Sequence, residues 1–159
     1  MKNVVYVEWV PAGALMKALV AFFSLLILCV LLITIAVGVA FENPFFIVLL
    51  VSPLAFVLFS FWNYRGLQIQ VTNKELLTNY GFFNRKRILI GDIVSCEPTK
   101  ASFRRYGGIG IRYGTDASWA YTTSLGNAVK IIPRRGKPFV FSSNNPEKIC
   151  SIINQMKSV

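Results

Sequence analysis

Two long apolar runs without a charge decide most of what this chain can become. No charged residue lies between Lys17 and Glu42, and none between Glu42 and Arg65. Each run exceeds the roughly 20 residues that a helix needs to cross about 30 Å of hydrocarbon. They meet at Glu42-Asn43-Pro44, so residues 18–64 read as a helical hairpin in a membrane. The first helix is expected from about Met16 to Phe41, with Ala36 and Ala40 on one face. The second is expected from Pro44, a residue suited to a first helical turn. Pro53 falls near its middle and Phe59, Phe61, Trp62 and Tyr64 stand at its exit, at interface depth. Gly38-Val39-Ala40 looks like a cleavage site, but the run before it is too long for a signal peptide and a second span follows at once.

The division into parts follows from where the apolar residues lie. Residues 1–17 read as a short lead, with Val4-Val5-Tyr6-Val7 extended and Trp9 as an interfacial aromatic. Residues 65–159 hold short apolar stretches separated by polar turns, enough for one modest core. Of the formal charge of +10, the whole surplus sits in this last part, with 15 Lys and Arg against 5 Asp and Glu. Lys17 and Arg65 flank the spans and the connection holds only Glu42. That asymmetry predicts a multi-pass membrane protein with two spans, and both termini and the polar part cytoplasmic. Neither span carries an ionisable side chain, so the hairpin alone is not expected to form an ion path.

Residues 65–159 are expected to be mostly strands. Leu67–Val71 alternates apolar and polar, Asn73-Lys74 turns, and Glu75–Tyr80 follows. Gly81–Asn84 is read as a second turn before a strand at Lys86–Ile90, and Ile93–Glu97 as a strand closed by Pro98. Further strands are expected at Ile109–Tyr113, Trp119–Thr123, Ala128–Ile132 and Pro138–Ser142. Arg65-Gly66 is the only hinge between membrane and strands. The period then changes: Asn145-Pro146-Glu147 starts a helix, and Ile149, Ile152, Ile153 and Met156 form one apolar stripe.

The chemistry is sparse. There is no histidine, which removes the commonest general base and metal ligand. Cys29, Cys96 and Cys150 are odd in number and widely spaced, and read as three small hydrophobes in reduced surroundings. Asp92, Glu97 and Asp116 are scattered acids near turns, and no nucleophile has an evident base. No catalysis, cofactor or metal is expected. Three basic clusters remain: Arg85-Lys86-Arg87, Lys100 with Arg104-Arg105, and Arg134-Arg135-Lys137. The first and third, expected in turns, are the candidate contacts to anionic lipid or a protein partner, with Phe82 and Phe83 beside the first as a shallow apolar anchor. Nucleic acid is not expected, because no basic recognition helix is present. Homo-oligomerisation stays open.

Strands in succession followed by one amphipathic helix is the order of a pleckstrin-homology-like barrel. From about Gly66 to Met156 the chain resembles the bacterial pleckstrin-homology-like domains of small membrane proteins. The residues that carry this are Tyr106-Gly107-Gly108-Ile109-Gly110-Ile111-Arg112, Ala120-Tyr121, Gly126-Asn127-Ala128-Val129, Gly136 and Asn145-Pro146-Glu147. Ile109 stands where that family has Trp, and Thr72-Asn73-Lys74 is too short for a phosphoinositide-gripping loop. The resemblance implies a barrel of about seven strands closed by the C-terminal helix, and no activity. Read by themselves, Gly107, Gly108 and Gly110 point to a bulge or corner rather than a phosphate cradle. The function expected is non-enzymatic: a membrane-surface adaptor or anionic-lipid binder, with a small accessory subunit of a larger membrane complex as the alternative.

Overall fold

The computed structural model describes residues 3–38, 43 and 45–157, which divide into two units. The first is helical. Helix α1 runs Ala14–Ala36 and helix α2 Phe45–Asn63, and the two contact each other. Both are long and apolar enough to cross a membrane. Asn43 accepts the Phe45 amide on its Oδ1 at 3.1 Å, a side-chain cap for the start of α2. Pro53 lies inside α2. Ala40, Phe41, Glu42 and Pro44, which carried parts of the expected hairpin turn, lie outside the described residues.

The second unit is mainly β and takes in both sides of the hairpin. Strand β1, Val4–Pro11, precedes α1, and β2, Gly66–Thr72, follows α2. They pair antiparallel, with Val7 opposite Gln70, Trp9 opposite Gln68 and Pro11 opposite Gly66. The segment read as a lead is therefore the outer strand of a sheet. The hairpin leaves at the end of β1 and returns at the start of β2. Ala12 N donates to Arg65 O at 2.8 Å, tying the two exits together. Gly66 is buried rather than a hinge. A Cβ there would lie 2.3 Å from the Trp9 ring, so only glycine lets that indole lie across the strand.

Strands β3, Glu75–Tyr80, and β4, Asn84–Leu89, complete the sheet in the order β1-β2-β3-β4. A single 3-10 turn at Ile90–Asp92 leads to β5, Ile93–Ala101. That strand runs through Pro98 instead of ending before it. It is an edge strand, so the missing proline amide faces no partner. A one-turn helix α3, Phe103–Tyr106, then precedes β6 at Gly110–Tyr113, β7 at Trp119–Thr122, β8 at Gly126–Pro133 and β9 at Phe139–Ser142. The second sheet has the order β5-β8-β9-β7-β6, with β7 and β9 parallel. The nine described strands thus form two sheets that are not closed into a barrel, against the closed barrel of about seven strands expected. The difference arises because β4 and β6 are both left as edges.

One core joins the sheets. It contains Leu67, Ile69, Val71, Leu76 and Tyr80 from the first and Val129, Ile131, Phe139 and Phe141 from the second. Helix α4, Pro146–Lys157, adds Ile149, Cys150 and Ile153 and contacts β5 and β8. The buried stripe sits slightly round from the one expected, since Ile152 and Met156 are only partly buried. Cys150 is joined to Cys96 of β5 by a disulfide, with Cα atoms 5.2 Å apart. This corrects the reading of three unpaired thiols. A separation of 54 residues gave no spacing signal, because only the packing of α4 on β5 brings the two together.

Candidate binding surface

Strand alternation splits the first basic cluster. Arg85, Lys86 and Arg87 lie within β4, not in a turn, so Arg85 and Arg87 share one face and Lys86 takes the other. Arg87 pairs with Glu75, whose side chain is buried in β3. Lys86 and Asn84 instead line a cleft of about 310 Å³ with Ile111, Trp119, Tyr121 and Phe139. Sequence reasoning missed this site, because β4 meets β6, β7 and β9 only in the folded chain. The aromatic content of β7 was the one available signal.

The aromatics of this cleft are held in two ring pairs. Tyr121 and Phe139 meet edge to face at 5.0 Å, and Tyr113 and Trp119 at 5.5 Å. Trp119 remains 44% exposed, so the cleft, which Lys86 also lines, offers an indole to solvent. Burial pushes the Tyr121 hydroxyl above its ordinary range. Deeper in, Tyr80 donates from its hydroxyl to Thr122 O at 3.4 Å, linking β3 of one sheet to β7 of the other.

Arg134, Arg135 and Lys137 lie in the exposed turn between β8 and β9, as expected. Lys137 is held over Tyr113, with its Nζ 2.9 Å from the hydroxyl and 4.6 Å from the ring centre. The two candidate clusters are thus a strand edge and a turn, on separate elements. In the second cluster Lys100 lies near the end of β5, whereas Arg104 and Arg105 lie on α3. Arg105 approaches Asp116 at 3.9 Å, and Lys130 approaches it at 3.6 Å. Partial burial pushes the Asp116 carboxyl up. Hydrogen bonds from the Ser118 hydroxyl and amide, with the charges of Lys130 and Arg105, outweigh this and leave it below the usual range. Asp116 is a clamp on its own loop. Among the described residues no group of three metal-ligating side chains comes together.

Gly107, Gly108 and Gly110 adopt φ of 67°, 141° and 107°. Gly107 terminates α3 in the left-handed region and Gly110 opens β6, so the stretch is a corner. A phosphate cradle needs a strand before its glycines and a helix after them, the reverse order. Arg112 donates to Ile109 O at 3.2 Å, and Ile111 faces the cleft.

Residues 9–92 match the family model described as the bacterial PH domain. The chain belongs to the bacterial PH domain family. No curated protein and no solved structure matches it. The match begins in β1, passes through α1 and α2, and ends with the 3-10 turn after β4. The hairpin therefore lies inside the family's matched stretch, as it lies between paired strands. The residues that carry the sequence resemblance, from Tyr106 to Glu147, all lie beyond that stretch.

Proposed function

We propose that this bacterial PH domain protein is a non-enzymatic binding module of the cytoplasmic membrane, acting as a membrane-surface adaptor whose basic turn touches anionic lipid. The observation that carries the reading is the pairing of Pro11 with Gly66. The domain is tethered at both of those strand ends by Ala12-Gly13 and Tyr64-Arg65, and a two-residue link reaches only about 7 Å. A module on two such tethers is kept near the bilayer. Lys17 and Arg65 support a cytoplasmic position for it and for both termini. The disulfide is the opposing observation, since cytoplasmic thiols are normally kept reduced. A cytoplasmic position requires this bond to open in the cell, which trapping of thiols reads directly. Helix α4 has the role of covering one end of the shared core.

The lipid contact is assigned to Arg134, Arg135 and Lys137, exposed on one turn. Each basic residue near an anionic leaflet contributes at most about 1 kcal/mol, and salt screens it beyond about 8–10 Å. Amide hydrogen exchange on the full-length protein in nanodiscs tests this. With anionic lipid at low salt, residues 134–137 are expected to exchange more slowly than in neutral lipid. Near-physiological salt should reduce the difference, and Arg134→Gln, Arg135→Gln and Lys137→Gln together should abolish it. Identical exchange in the two lipids at low salt would end the lipid reading.

A further inference from the structure

Two edges and one cleft coincide. Strand β4 is hydrogen-bonded to β3 alone, so the other side of its ladder is open. Asn84 and Lys86 of β4 line the cleft together with Ile111 of a second open edge, β6, and with Trp119, Tyr121 and Phe139. An open edge offers backbone donors and acceptors to an incoming strand, while a cleft beside it selects alternate side chains. The cleft volume of about 310 Å³ suits a few side chains rather than a whole element.

We propose that β4 binds an extended segment of a partner protein, alternating acidic and apolar residues, as an added strand over this cleft. Alternation follows from β4 itself. Side chains on one face of the incoming strand meet Ile111, Trp119 and Tyr121 in the cleft. Those on the other meet Arg85, beside the Arg87 that Glu75 already pairs. Charge decides between occupants. A second copy of the chain would set the basic face of β4 against its own like, which repels, and both copies carry +10. An acidic face on the incoming strand removes that repulsion and gives Arg85 a counter-charge. This holds whether or not the 134–137 turn touches lipid.

The probe is an acetylated, amidated heptapeptide alternating Asp or Glu with Val or Phe, titrated into the full-length protein in neutral nanodiscs. Binding should shift the Trp119 emission and protect the β4 amides from exchange. Losing the alternation by scrambling, or methylating every second backbone amide, should weaken it at least about tenfold. Trp119→Ala and Arg85→Glu should each do the same, and Arg85→Gln, which removes the charge without reversing it, less. Thermal unfolding confirms that each variant is folded. Equal affinity for the scrambled or methylated peptide, or no binding at millimolar concentration, overturns the proposal. So does protection of β4 by anionic lipid alone, which makes the cleft a lipid site, or by self-association without peptide.

Discussion

Glu8 accepts the backbone amide of Asn144 at 2.6 Å, across 136 residues of sequence. Its other carboxylate oxygen accepts from the Ser143 hydroxyl at 2.9 Å, and Glu8 is buried. A strand ahead of the first membrane helix thus holds the turn that starts the last helix of the chain. Charge-assisted bonds of this kind contribute about 1.5–3 kcal/mol each, and a partner left bare costs more. Glu8→Ala is expected to destabilise the β unit by about 3 kcal/mol, and Glu8→Gln by less. Thermal unfolding of the full-length protein in detergent measures both, with exposed Glu97→Ala as the near-silent control.

Helix α4 gives a test of facing. Ile153 is fully buried in the core and Ile152 only partly. Ile153→Asp should cost more than about 4 kcal/mol, because it forces a charge into that core, and Ile152→Asp clearly less. Ser151→Asp, on the exposed side, should change stability by under about 0.5 kcal/mol. Denaturant unfolding ranks the three.

Tyr80 sets an alkaline limit. Burial, and then the neighbouring Tyr64, push its hydroxyl up to about 12. The unfolded chain ionises this tyrosine near pH 10, so the stability it contributes is full below pH 10 and is lost as pH rises towards 12. At about 1.4 kcal/mol per unit the loss approaches roughly 3 kcal/mol. Unfolding free energies at pH 9 and 11 should differ more in the wild type than in Tyr80→Phe. That variant forfeits the bond to Thr122 O, costing about 1 kcal/mol at neutral pH.

The Cys96–Cys150 bond closes a loop of 54 residues, for which chain entropy alone gives about 4 kcal/mol. Reductant should lower the unfolding temperature of oxidised protein, and Cys96→Ala with Cys150→Ala should remove the effect of reductant. Alkylation of thiols during lysis under nitrogen reads the state in cells, where the cytoplasmic reading expects both to be free.

What the sequence made legible was local. Uncharged runs marked both membrane helices, alternation marked β2, the Asn73-Lys74 turn marked β3, and a 3.6-residue stripe marked α4. The rest depended on contacts between distant residues. Val4–Pro11 looked like a lead because its partner β2 lies beyond the whole hairpin. Arg85-Lys86-Arg87 read as a turn cluster, although period two within a strand sends its middle member elsewhere. Lys86 and Trp119 share a cleft through sheet topology, which no spacing encodes.

The account depends most on a membrane hairpin whose connection and β unit lie on opposite sides of the bilayer. Single cysteines at Asn43 and at Leu125, placed in a background with Cys29, Cys96 and Cys150 replaced by Ala, test it in intact cells. An impermeant thiol reagent should label position 43 before lysis and position 125 only after it. Labelling of 125 but not 43 in intact cells would contradict the account.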